Sequence, residues 1–161
     1  SFSCPADFAG QDNTEVQTAK DNRPNFTMLL ELALKAIQVG KLEEADRLIS
    51  GIYSSAETRL NAGDPIMEGD ITRISEVLIA LAQQSRSVKD ISRVFSLHLA
   101  GKKLMTRELV EKLYDLVRPV GYLACADMTK YLTFLDSKAQ SFNPGELFVH
   151  RRIQGLLKLC S

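Results

Sequence analysis

Histidine and cysteine are scarce in this sequence, and their scarcity removes most kinds of site chemistry. Only two histidines, His98 and His150, occur in 161 residues. They are far apart in sequence and neither has a second histidine one helical turn away, so an HExxH-like metal pair is absent. The three cysteines, Cys4, Cys125 and Cys160, are isolated from one another. That spacing excludes a CxxC redox pair and a two-knuckle zinc site as sequence signals. No metal and no cofactor are expected. Cys125 falls in an apolar-periodic stretch and reads as a small core residue, whereas Cys4 and Cys160 lie near the ends. A reduced, intracellular and cytoplasmic setting is expected, with a secreted chain bridged between Cys4 and Cys160 as the alternative.

Other absences narrow the function further. No stretch approaches the roughly 18 consecutive apolar residues of a membrane span, so no membrane insertion is expected. No basic segment followed by an apolar run opens the sequence, so no signal peptide is expected. Lys plus Arg and Asp plus Glu number 20 each, leaving no net charge to draw the whole chain to nucleic acid or membrane. The nine glycines mostly mark helix ends, and none belongs to a G-x-S-x-G, G-x-x-x-x-G-K-[ST] or G-x-G-x-x-G pattern. Carboxylate pairs such as Glu43–Glu44 and Glu108–Glu111 occupy exposed helix positions, where they complement the N-terminal dipole and favour solubility. No residue is assigned a catalytic role, and a non-enzymatic protein is expected.

What is present is helical. At 45% hydrophobic residues the chain has enough apolar content for one core. Residues 1–24 are polar and aperiodic and predict a flexible lead-in to a helical domain at 25–161, with Phe2 and Phe8 able to dock on the body or a partner. From Phe26 to Val39 only Glu31, Lys35 and Gln38 form a polar stripe, a girth suited to the middle of a bundle. Gly40 stops this helix and Lys41 starts another. There Leu42, Ala45, Leu48, Ile49, Ile52, Tyr53, Ala56 and Leu60 recur at three and four.

The turn text AIQVGKLEEADRLI resembles the inter-helix turn of a tetratricopeptide-type hairpin. The resemblance covers one hairpin, and no second copy stands at the period of about 34 residues that an array requires. An antiparallel hairpin, not a solenoid, is the expectation.

The loop 61–70, closed by Asp70 as a cap, precedes a third helix with Ile71, Ile74, Val77, Leu78 and Leu81 inward. Ser87 and Asp90 form a Ser-x-x-Asp opening for a fourth, with Val88, Ile91, Val94, Phe95, His98 and Leu99 on its apolar face and Gly101 at its end. Thr106 caps a fifth, carrying Leu109, Val110, Leu113 and Val117. Pro119 and Gly121 break the chain before a sixth with Ala124, Cys125, Met128, Tyr131, Leu132 and Leu135. Asn143, Pro144 and Glu146 start a seventh, with Leu147, Phe148, Ile153, Leu156 and Leu157 inward. The fold class is therefore all-α: a single-domain bundle of about seven antiparallel helices joined by short turns.

Within a neutral chain the charge is segregated. Residues 41–70 are mostly acidic, while 86–107 carry Arg86, Lys89, Arg93, Lys102, Lys103 and Arg107 against Asp90 alone. The first three follow helical spacing and predict one basic face. Leu104 and Met105 sit among these bases and offer an apolar centre, or else staple the fifth helix. His98 reads as a core histidine and His150 as part of a solvated face.

A non-catalytic interaction module (adaptor, regulatory or chaperone-like) is expected. It would bind another protein, one with an acidic surface, through Arg86, Lys89, Arg93, Lys102, Lys103, Leu104, Met105 and Arg107. Reversal of Lys89, Arg93 and Lys103 to glutamate is expected to abolish such binding. The alternative is nucleic acid, RNA before DNA, on the same patch extended by Arg151, Arg152 and Lys158. The same patch has a third use, as a solvated or internally paired face. The oligomeric state is open.

Overall fold

The structure, a computed structural model, describes residues 26–64, 68–120 and 125–160, with the side chains of 68, 117–120, 125 and 160 excepted. Expectations about the lead-in 1–24, all three cysteine side chains, Val117, Gly121 and Ala124 fall outside the described residues. Seven α-helices and no strand occur among those described. They are α1 (Thr27–Gln38), α2 (Leu42–Asn61), α3 (Glu68–Ser85), α4 (Val88–Ala100), α5 (Arg107–Val120), α6 (Cys125–Lys138) and α7 (Pro144–Cys160), with a 3-10 turn at Ala139–Ser141 before α7.

The ends of these helices show the sequence signals at work. Gly40 adopts a left-handed φ of 83°, which lets Lys41 N–H donate to the Ala36 carbonyl (2.8 Å) and Gly40 N–H to that of Ile37 (3.1 Å). This paired closure satisfies carbonyls the helix leaves open, and α2 begins one residue later. At α7 the Asn143 side chain accepts from Glu146 N–H (2.8 Å) while Glu146 accepts from Asn143 N–H (2.9 Å). That is a reciprocal capping box with Pro144 at the first helical position.

Two starts differ from expectation. Helix α3 begins at Glu68, so Asp70 lies inside its first turn instead of ahead of it. Ser87 stands at the N-cap of α4 but makes no side-chain cap hydrogen bond, and Asp90 is buried. Helix α5 continues through Pro119 to Val120, so Pro119 does not end it, and residues 121–124 lie outside the described residues.

Helices two apart in sequence pack together. One row holds α1, α3, α5 and α7, the other α2, α4 and α6, and the α1–α2 and α3–α4 hairpins tie the rows together. The core between them includes Ile49, Ile74, Leu78, Phe95, Leu113, Tyr131 and Ile153, all buried. The rows stack like repeated hairpins although no repeat is legible in the residues.

Two apolar faces were misplaced by periodicity alone. Helix α1 lies at the end of its row, not in the middle, and leaves Met28, Leu29, Leu32, Leu34 and Val39 exposed. In α7 the inward positions belong to Val149, Ile153 and Leu156, while Phe148 is exposed.

Candidate functional site

The basic stretch splits into two environments. Along α4, Lys89 and Arg93 turn towards α2. Lys89 Nζ lies 3.2 Å from Asp46 Oδ1. Arg93 donates to Ser50 Oγ (2.9 Å), stands 3.6 Å from Asp90 Oδ1 and places its guanidinium 5.1 Å from the Tyr53 ring centroid. Burial pushes the Asp90 carboxyl up from its ordinary range, and the nearby Lys89 and Arg93 charges pull the other way. Next to them Tyr53 donates to Glu57 (2.6 Å). The acidic and basic stretches thus meet each other across α2 and α4, and two of the six bases, Lys89 and Arg93, are paired internally.

Arg86 is exposed in the α3–α4 turn. About 20 Å of helix, the rise of α4, separates it from the other end, where Lys102, Lys103 and Arg107 stand.

That other end is built around an unusual turn. Helix α4 closes with Lys102 N–H donating to the Leu99 carbonyl (3.1 Å) and Lys103 N–H to that of His98 (3.0 Å). Gly101 is the cap, but the left-handed residue is Lys102, at φ 51°. A glycine fills the equivalent position after α1 and α2, Arg86 at φ 58° fills the one after α3, and an L side chain there is strained. Gly101 serves another need: a Cβ on it would lie 2.8 Å from Ile71 Cδ1, so its bareness lets the end of α4 approach α3.

The chain then runs to α5 under the control of α6. Tyr131 donates to the Lys103 carbonyl (2.6 Å) and accepts from Met105 N–H (2.9 Å). Met105 is buried, so it is core and not an exposed apolar spot, while Leu104 packs half-buried against the core. Met105 precedes Thr106, whose hydroxyl accepts from Leu109 N–H (3.2 Å), so Met105 holds the position of a hydrophobic staple.

Around this turn lies a cleft of about 740 Å³ at the loop end of the rows. Leu60, Gly63 and Asp64 line it from the end of α2, Ile71 from the start of α3, residues 100–106 from the turn and Glu146 from the start of α7. A second cleft, about 460 Å³, crosses α2, α4 and α6 and includes Glu57, Asn61, Ser96, Asp127 and Lys130. Ala100 and Lys102 line both. Four of the expected partner residues, Lys102, Lys103, Leu104 and Met105, therefore share one cleft. Arg107 is exposed beside it in sequence and lies over the Phe148 ring, 4.6 Å from the centroid.

The proposed extension is less coherent. Arg152 makes a two-point pair with Glu111 (3.0 and 2.8 Å) and stacks 3.9 Å from the Tyr114 centroid. This pairing holds the Glu111 carboxyl below its usual range. Arg151 is exposed on α7, and Lys158 lines a different cleft, about 440 Å³, with Asp136.

Neither histidine stands in an open site. His98 is fully buried, with Nδ1 donating to the Val94 carbonyl (2.9 Å), Nε2 without a partner and the Tyr131 ring edge-on to it. None of the three clefts includes it. His150 is buried rather than solvated. Its Nε2 lies 2.8 Å from Asp136 Oδ1 and the Phe142 ring packs against it. Among the described residues, no group of His, Cys, Asp and Glu is arranged to hold a metal ion, and no helix is long and apolar enough to cross a membrane. The chain matches no protein-family model, no curated protein and no solved structure.

Proposed function

We propose that this chain is a non-catalytic interaction module that holds a segment of a partner protein in the cleft at its loop end. The observation that carries this reading is Lys102. A lysine occupies a left-handed turn position where glycine would be more comfortable, and it stands between two clefts. Backbone strain of this kind costs on the order of 1 kcal/mol and gathers where a side chain is needed for recognition. The partner segment suited to the cleft is extended. It would bring a carboxylate for Lys102 and an apolar side chain to rest on Leu60, Ile71 and Leu104, a small buried anchor inside a polar rim.

Nucleic acid finds less support. Asp64 and Glu146 share the cleft with the lysines, and a phosphate backbone favours a groove of one sign.

Affinity capture from a source lysate, with and without nuclease, tests this reading through three variants. Lys102→Glu and Lys102→Gly are both expected to lose the captured protein. The glycine variant should unfold no more easily than the parent, since relieved strain offsets the looser unfolded chain to within about 1 kcal/mol. Lys89→Glu, remote from the cleft, should retain the partner. Capture that survives Lys102→Glu sinks the proposal, and capture abolished by nuclease transfers the cleft to nucleic acid.

A further inference from the structure

Helix α1 presents a second surface that uses no residue of the cleft. Its inner side, with Phe26, Leu30, Ala33 and Ile37, is buried on α2 and α3. Its outer side carries Met28 at 70% exposure, Val39 at 68%, Leu32 at 46% and Leu29 at 41%. Arg73 of α3 donates to the Thr27 hydroxyl (3.2 Å), so the Thr27 flank faces α3 and the apolar stripe points away from the body. Single exposed leucines are ordinary, but four large apolar side chains together on three turns form a patch that marks an interface.

The order of residues along the stripe identifies the occupant. Met28, Leu32, Lys35 and Val39 follow one another at spacings of four, three and four, the seam of a helix that packs side by side with another. That spacing reads the same in either direction. Two copies related by a two-fold axis would therefore set Met28 against Val39 of the second copy and Leu32 against its Lys35, twice over.

The charges agree. Lys35 is exposed within the stripe and Glu31 is exposed on its flank one turn earlier, and neither forms an ion pair among the described residues. The two-fold arrangement brings each Lys35 within one residue's rise, about 1.5 Å, of Glu31 of the second copy, making two opposite-charge contacts. A parallel arrangement would set Lys35 against Lys35, which like-charge repulsion opposes.

We propose that two copies of this chain pair antiparallel through α1, with Met28, Leu32 and Val39 in the seam and Glu31 facing Lys35 across it. A seam of three turns buries less than the ~1,200 Å² of a standard interface, so the pair exchanges with monomer.

Sedimentation velocity on the full chain from about 10 µM to about 1 mM tests this. The parent is expected to shift from monomer to dimer. Leu32→Lys, which sets a second positive charge against Lys35 of the other copy, should stay monomeric with an unchanged helical circular-dichroism spectrum, because the position is exposed. Lys35→Glu should dissociate at least about tenfold more readily, and the double exchange Glu31→Lys with Lys35→Glu should regain the parent's association. A parent that stays monomeric throughout overturns the inference and gives the stripe to residues 1–25 or to a different protein. A dimer indifferent to Lys35→Glu, or one the double exchange does not restore, overturns it equally.

Discussion

His98 concentrates the physics of this core in one side chain. A carbonyl can only accept, so the bond to Val94 fixes the proton on Nδ1 and leaves Nε2 a buried acceptor with no hydrogen-bond partner among the described residues. Burial drives its pKa from 6.5 down to about 4, and the Lys103 charge works in the same direction. The unfolded chain therefore binds a proton between pH 6.5 and 4 that the folded chain refuses, and stability falls as the pH is lowered through that window. A depression of this size corresponds to on the order of 3 kcal/mol. Asp90, pushed up by its own burial, works in the opposite sense above the ordinary carboxylate range, so His98 must be isolated by difference. Urea unfolding of the parent and of His98→Gln from pH 4 to 7 is expected to give a steeper acid loss in the parent. Parallel profiles would show that His98 does not resist protonation. The burial of His98 was legible, since it falls on an apolar stripe. That of His150 was not, because neighbouring Arg151 and Arg152 suggested solvent, while its partner Asp136 belongs to another helix.

At the level of elements, local signals were readable where local groups satisfied them. Gly40 and the Asn143–Glu146 box closed their helices as the residues required, because every atom involved lies within one turn. The Ser87–Asp90 opening looked similar and did not form, because Asp90 is buried beside Arg93 where α4 packs on α2. The pairing of the acidic stretch with the basic one was hidden for the same reason: Asp46 and Lys89 are remote in sequence and adjacent in space. Tyr131 was also missed as more than a core aromatic. A buried tyrosine hydroxyl signals a need for partners, but nothing local names Lys103 and Met105 as those partners. Tyr131→Phe would remove the bonds to the Lys103 carbonyl and from Met105 N–H where the cleft wall is formed. A loss of about 1–3 kcal/mol is expected in chemical denaturation, together with weaker partner capture. A variant as stable as the parent would mean that water replaces the hydroxyl and that the turn holds itself.

For the whole molecule, the arrangement in two rows decides which helices are supported. Periodicity reports how much of a helix's girth is apolar but not how many neighbours cover it, and so α1 read as a central helix while standing at the end of its row. Among the described residues helix α3 packs substantially against α1, α2, α4 and α5, whereas α1 packs substantially against α2 and α3. Local opening follows such differences in packing. In dilute solution the amides of α1 are expected to exchange by openings of lower free energy than those of α3, whose protection should approach that of global unfolding. Self-association adds a condition that packing alone does not impose. If α1 pairs with α1 of a second copy, raising the concentration should slow exchange in α1 selectively, by mass action on the closed form. The same increase should do nothing to α1 in Lys35→Glu. Hydrogen exchange read helix by helix at two concentrations separates the cases. Protection in α1 that equals α3 at the lower concentration contradicts the two-row account of stability. Protection that is low but independent of concentration leaves that account standing and removes the dimer.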